Sequence, residues 1–185
     1  MPTRIRTFIL GLLGMVSLAC PATAGAQALQ APAPELKAAI IANMLLFVEW
    51  PSRKSITLAD GSDQLTLCTL DDSPVAEALS RLNDRPFKGK TIKVNRISID
   101  HLGDCHALYI APADRSTLAR IAPNNIGATP TLLIGDTPGF LLRGIMINLE
   151  QEGSRVAFDV DLRALQAAGL KISSKALRLA RTIIE

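Results

Sequence analysis

The sequence predicts a single α/β domain, with a mixed β-sheet flanked by helices on both faces. Three observations carry that reading. After one apolar helix the segments alternate as β-α-β-β-α-β. Apolar runs at Ala107–Ala111 and Leu132–Ile134 suit strands covered on both sides. Glu152-Gly153-Ser154 is a turn signal between Gly144–Gln151 and Arg155–Val160, which adds an antiparallel hairpin.

The elements follow in order. Arg4 and Arg6 make a positive start, Phe8–Ala19 an apolar run, and small-residue sites follow at Ala22-Thr23-Ala24 and Ala24-Gly25-Ala26. This is the three-part pattern of a cleaved export signal over residues 1–26. An amphipathic anchor would need a polar face, which the run lacks. A lipid-attachment site at Cys20 would want Leu where Ser17 stands. Residues 27–34 are rich in Ala and Pro and read as a disordered lead-in to a domain over 35–185. From Glu35 the pattern is helical: Leu36, Ile40, Phe47 and Trp50 share one face, and Pro51 stops the run. Asn43 is the only polar residue between Ala38 and Val48, so this helix is buried on several sides, yet the run is too short to span a bilayer.

Gln64–Leu70 alternates as a strand with Cys68 inside it. Asp71-Asp72-Ser73-Pro74 opens a helix to about Leu82, with the two acids read as caps. Phe87–Lys90 is a turn, and Thr91–Ile99 a second strand. His101–Asp104 connects to a third strand, Cys105–Ala111, and Asp114 or Ser116 caps a helix to Ile121. Thr129–Gly135 is the fourth strand. Helices over Asp161–Ala168 and Ser174–Ile184 close the chain, Gly169 ending the first and Ser173 or Ser174 capping the second.

Removing residues 1–26 from 185 leaves 159, one domain with room for a core. It also removes two arginines and lowers the formal charge from +3 to +1, far from the basic field of a nucleic-acid binder. Cys68 and Cys105 then remain, an even number in an oxidising compartment; a disulfide is the default, two buried free thiols the alternative.

No G-x-G-x-x-G, Walker A, G-x-S-x-G, H-E-x-x-H or C-x-x-C pattern occurs. His101 and His106 lie near Asp100, Asp104 and Cys105, but Cys105 and His106 are strand neighbours facing opposite ways, so neither a metal nor a cofactor is expected. Lys88, Lys90, Lys93 and Arg96 read as a solvated strand face with edge-protecting lysines. Asp159 and Asp161 share one strand-end face at most, with no third group to join them. The loop Gly135–Phe140 follows a strand, where α/β proteins place ligands, which makes Asp136 and Phe140 candidate pocket residues; a plain turn is equally compatible. No catalytic residue is identified.

Several blocks in order resemble the YfiR-like family of periplasmic regulators: Leu36-Lys37-Ala38-Ala39 with Phe47-Val48-Glu49-Trp50-Pro51; Leu65-Thr66-Leu67-Cys68; Cys105–Ile110; Leu132–Asp136 with Pro138-Gly139-Phe140 and Gly144–Leu149; and Arg155–Val160 with Ala168–Ser174 and Leu177–Ala180. The resemblance implies a non-enzymatic α/β regulator, usually a homodimer. It would hold off an inner-membrane diguanylate cyclase by binding its periplasmic sensing part, and an outer-membrane lipoprotein would sequester it. It also implies a disulfide at Cys68 and Cys105. A further cysteine pair found near the fourth strand in some members is absent, and Leu141-Leu142-Arg143 is less polar than usual. Leu170, Lys171 and Ile172, at the corner between the last two helices, together with Arg178, are the candidate partner-binding residues, although Leu170 and Ile172 also suit inward packing. A small-ligand binding module at the Gly135 loop is the alternative function; a thiol-active protein would need an exposed, low-pKa cysteine.

Overall fold

The computed structural model describes residues 31–51, 56–57, 63–121 and 130–185; the expected leader and the start of the lead-in lie outside them. Helix α1 spans Ala33–Phe47 and therefore begins two residues earlier than the sequence suggests, because Pro34 in the first turn needs no backbone donor. Its fully buried positions are Ile41, Ala42 and Leu45, flanked by Ala38 and Met44. The stripe read from sequence was wrong by a rotation. Leu36, Ile40, Phe47 and Trp50 are only partly buried, and Trp50 is not helical at all. Among the described residues, no helix is long and apolar enough to cross a membrane.

Eight strands form one mixed sheet in the order β11-β9-β8-β7-β6-β3-β5-β4, and β2 (Ile56–Thr57) pairs with the start of β3. The centre is parallel: β5 (Lys90–Arg96), β3 (Asp63–Thr69), β6 (Ala107–Ile110), β7 (Leu132–Gly135) and β8 (Ile147–Glu152). Every residue of β6 and of β7 is buried, as expected for strands covered on both faces. β9 (Arg155–Asp161) returns antiparallel to β8 through the expected hairpin, with Gly153 at φ +60°. β4 (Arg85–Phe87) forms a hairpin with β5, so β5 is interior and β4 the edge.

Helix α2 (Pro74–Ser80) is capped by Ser73, whose hydroxyl accepts from the Ala76 N–H at 3.1 Å. The capping role expected of Asp71 and Asp72 is thus filled by Ser73, and both acids turn to Arg96 instead. Lys88, Lys90 and Lys93 each meet an oxygen, on Asn43, Asp63 and Asp84. α3 covers Arg115–Ile121 after a 3-10 turn, and α4 (Leu162–Ala167) is capped by Asp161.

The end of the chain departs most from expectation. The last helix, α5, is only Ser174–Leu177; Thr182–Ile184 is not helical but β11, parallel to Asp159–Asp161 of β9. Three β-branched residues in a row favour the extended form, and the sheet edge offers them a ladder.

Candidate functional site

The C-cap of α1, Val48, is extended, and the chain leaves the helix directly as β1, Val48–Glu49. β1 pairs antiparallel with β10, Lys171–Ile172: Val48 faces Ile172 and Glu49 faces Lys171. The turn that delivers β10 needs Gly169, held at φ +72°, a conformation that a Cβ disfavours. The Leu170 N–H donates to the Leu165 carbonyl, and the Ser173 N–H donates back to Phe47. Two sequence blocks far apart along the chain, Phe47–Pro51 and Gly169–Ser173, therefore make one corner.

Trp50 closes that corner. Its indole N–H donates to the His106 carbonyl at 2.9 Å, and its ring stands edge-on to the imidazole, 5.5 Å between centroids. The imidazole Nδ1 accepts the Thr66 N–H at 3.0 Å, and the His106 N–H donates to the Thr66 carbonyl. A side chain thus stands in for a backbone acceptor where β3 and β6 meet, and that bond requires an unprotonated Nδ1. Immediately before His106, Cys105 is bridged to Cys68 of β3, with Cα atoms 5.9 Å apart and both residues fully buried. This bears out the pairing and gives no support to a thiol-active reading, because neither sulfur is exposed.

A hollow of about 320 Å³ is lined by Glu49, Trp50, Gln64, His106 and the Asp63–Lys90 ion pair. A smaller one, about 160 Å³, shares Glu49 and Trp50 and is completed by Pro51, Gly169 and Lys171. Of the candidate partner residues, Lys171 and Arg178 are exposed, Ile172 is half-buried, and Leu170 packs into the core. Leu170 is turned into the core, with its backbone N–H bonded to α4, so the accessible face of this corner is formed by Glu49, Lys171 and part of Trp50 rather than by Leu170. Sequence reasoning missed Trp50 as a site residue by reading it as the end of a helix; the signal available was Pro51, which permits no strand to continue past it.

The opposite, carboxyl end of the parallel strands is filled with polar side chains. Lys37 of α1 reaches Asp136 after β7, 2.7 Å apart, both side chains largely buried. Tyr109 on β6 is fully buried, and its hydroxyl is pushed far above its ordinary value by burial and by the Asp136 charge, so it stays a neutral phenol. Asp114 accepts the Ala111 N–H at 3.1 Å; burial, and then Asp71 beside it, push its carboxyl up to about 6. Phe140, expected to line a pocket here, is fully buried, and its Cδ2 would lie 2.7 Å from a Cβ at Gly135, so it plugs the core instead. Among the described residues no group of three or more His, Cys, Asp or Glu is arranged to hold a metal ion.

Comparison with known proteins places this geometry. The family described as YfiR/HmsC-like matches residues 34–181. No curated protein matches the chain. Among solved structures, a conserved domain protein from Vibrio cholerae O1 biovar El Tor is similar at a TM-score of 0.55 and 11% identity, over 82% of this chain and 60% of that one. That likeness is one of fold, and the chain spans little more than half the length of its relative. An ABC domain from Streptococcus pneumonia, solved in complex with L-Trp, gives a TM-score of 0.46 at 8% identity, over 69% of this chain and 57% of that one.

Proposed function

The chain belongs to the YfiR/HmsC-like family, and from that premise we propose that it is an exported, periplasmic regulator that works by contact rather than catalysis. In this reading it binds the periplasmic sensing part of an inner-membrane signalling protein, a diguanylate cyclase, and lowers its output of cyclic-di-GMP. It acts as a homodimer, and an outer-membrane lipoprotein competes for it. The mechanism is a population shift: binding one arrangement of the receptor's outer domain favours the inactive state.

The observation that carries this reading is the Trp50 corner. A partly buried indole ringed by Glu49 and Lys171 has the make-up of a protein-docking anchor with a polar rim. The disulfide and the His106–Thr66 bond fix the floor on which it stands. The test is capture of the tagged, exported protein with solubilised membranes, comparing wild type with Trp50→Ala and Lys171→Glu. Co-purification of a cyclase with wild type, reduced at least tenfold in both variants, is expected; capture unchanged in both would remove the corner from the reading.

The alternative, a small-ligand module, is favoured by one feature, the 320 Å³ hollow beside Trp50, rather than by the Gly135 loop. It expects a rise in melting temperature with a periplasmic metabolite, lost in Trp50→Ala.

A further inference from the structure

His106 is a titratable group built into the floor of the Trp50 corner, and it is only 3% exposed. Its Nδ1 accepts the N–H of Thr66, which is buried as well, so neither end of that bond can turn to water in place. A neutral imidazole has one acceptor nitrogen; an imidazolium has none, because both ring nitrogens carry protons. Protonation at Nδ1 therefore sets one donor against another inside the sheet. The backbone beside it is pinned, the His106 N–H donating to the Thr66 carbonyl at 2.8 Å, so the side chain is what must move.

The hollow beside the imidazole gives the charged ring a second place to stand. Among the described residues, the charged groups that line this hollow with His106 are Glu49 of β1, Asp63 of β3 and Lys90 of β5. Asp63 and Lys90 hold each other at 2.8 Å, and Glu49 is exposed at the rim. Two acids against one lysine make this a setting that favours an imidazolium. The remaining neighbours, Trp50, Thr66 and the bridged Cys105, carry no charge. Trp50 is tied to the same residue twice, through its indole N–H on the His106 carbonyl and through its edge-on contact with the imidazole. A ring that turns into the hollow takes away the second of these ties.

We propose that His106 is a proton switch on the docking corner. With the ring neutral, it stays in the seam between β3 and β6 and Trp50 is seated for the partner. In mild acid the imidazolium turns toward Glu49 and Asp63, the indole loses its seat, and the partner is released. This rests on the corner being the docking surface of the proposed function, and it adds the signal that the corner reads, the acidity of the compartment around it.

The first experiment needs no partner. The exported chain carrying His101→Gln, with its disulfide intact, has one imidazole and one indole, so each gives a single NMR signal. It is titrated from about pH 8 to about pH 5, reading the imidazole nitrogens, the Thr66 amide and the Trp50 indole N–H. At the start the ring should carry its proton on Nε2 alone. As it gains the second proton, the Thr66 amide and the indole signal should move with the same midpoint. A ring that stays neutral until the chain unfolds overturns the switch, and so does a ring that charges while the indole signal stays still.

The second experiment is the membrane capture assay at both ends of that range, with wild type and His106→Asn. Asparagine keeps an acceptor for the Thr66 N–H and has no proton to gain. Wild type should lose capture by about fivefold in acid, the worth of one hydrogen bond, while His106→Asn holds its level. Equal capture by wild type at both ends overturns the release step. No capture at either end is a failure of the docking reading instead, and the switch is then decided by the titration alone.

Discussion

The two ends of the parallel strands are built from opposite materials. At the carboxyl end, where doubly wound sheets commonly take a ligand, Lys37, Tyr109, Asp114 and Asp136 fill the crevice with the chain's own polar groups. At the amino end, α1 exits into Trp50, the Cys68–Cys105 disulfide lies beneath, and two hollows open beside the indole. The crevice to which the position rule for open α/β sheets points is therefore closed here, and for a physical reason. A helix that lays a lysine on the strand ends supplies internally the cation such a crevice would offer a ligand. The end left with an accessible aromatic becomes the candidate surface. Changes at the carboxyl end should then alter stability alone, and changes at the amino end both stability and partner capture.

The largest expected effect falls at the amino end. Replacing both cysteines by serine releases a loop whose closure is worth about 4 kcal/mol in the chain-entropy model, lowering the melting temperature by roughly 10 °C. Thermal unfolding of the double variant against wild type measures this. A melting point unchanged to within a degree would mean that the His106–Thr66 and Trp50 contacts hold the floor unaided. Next, Trp50→Ala is expected to cost about 3 kcal/mol together with the tenfold loss of capture, whereas Trp50→Phe should cost about 1 kcal/mol, since the His106 carbonyl keeps the Leu132 N–H as donor. Urea unfolding alongside the capture assay separates the two. At the carboxyl end, Lys37→Met leaves Asp136 largely buried without its cation and is expected to cost about 2 kcal/mol, with capture by the receptor unchanged. Lost capture in a folded Lys37→Met protein would break the division between the ends.

Much of this contrast was legible in the sequence, and its limits have identifiable causes. The strands of the parallel centre were readable because Leu67, Leu108 and Leu133 sit in apolar runs of strand length bounded by turn residues. The Cys68–Cys105 bridge followed from count and compartment. What sequence could not give was pairing between distant short segments. Val48–Glu49 and Lys171–Ile172 are two residues each, too short for any period, and become strands only because they meet. Arg181 was hidden in the same way: read in a helix, it had no partner, yet the register of the β8–β9 hairpin gathers Glu150, Glu152 and Asp159 around it. Asp159 and Asp161, read together as a strand-end pair, are divided by the fold: Asp159 joins Arg181 with Glu150 and Glu152, and Asp161 caps α4. Phe140, offered as a pocket residue, and Leu170, offered for the partner surface with inward packing as the alternative, are both buried in the core.

A second effect at the carboxyl end shows only as a dependence on pH. Asp114 has a folded-state value of about 6, above the roughly 4 of an unfolded carboxylate, so the folded chain holds this proton more tightly. Below about pH 4 both states are protonated and the group is neutral to stability. As pH rises through the interval from about 4 to 6 the unfolded chain ionises first, and the folded state loses relative stability until both are ionised. Asp114→Asn stays uncharged throughout and keeps an acceptor for the Ala111 N–H. Its stability relative to wild type should therefore grow by on the order of 2 kcal/mol between pH 4 and pH 7, read from urea midpoints. Trp50→Ala, at the other end of the strands, should shift the whole curve and leave that slope in place. Parallel curves for Asp114→Asn and wild type would show that the proton is not held at Asp114, and that the polar plug closes this end without a titrating group.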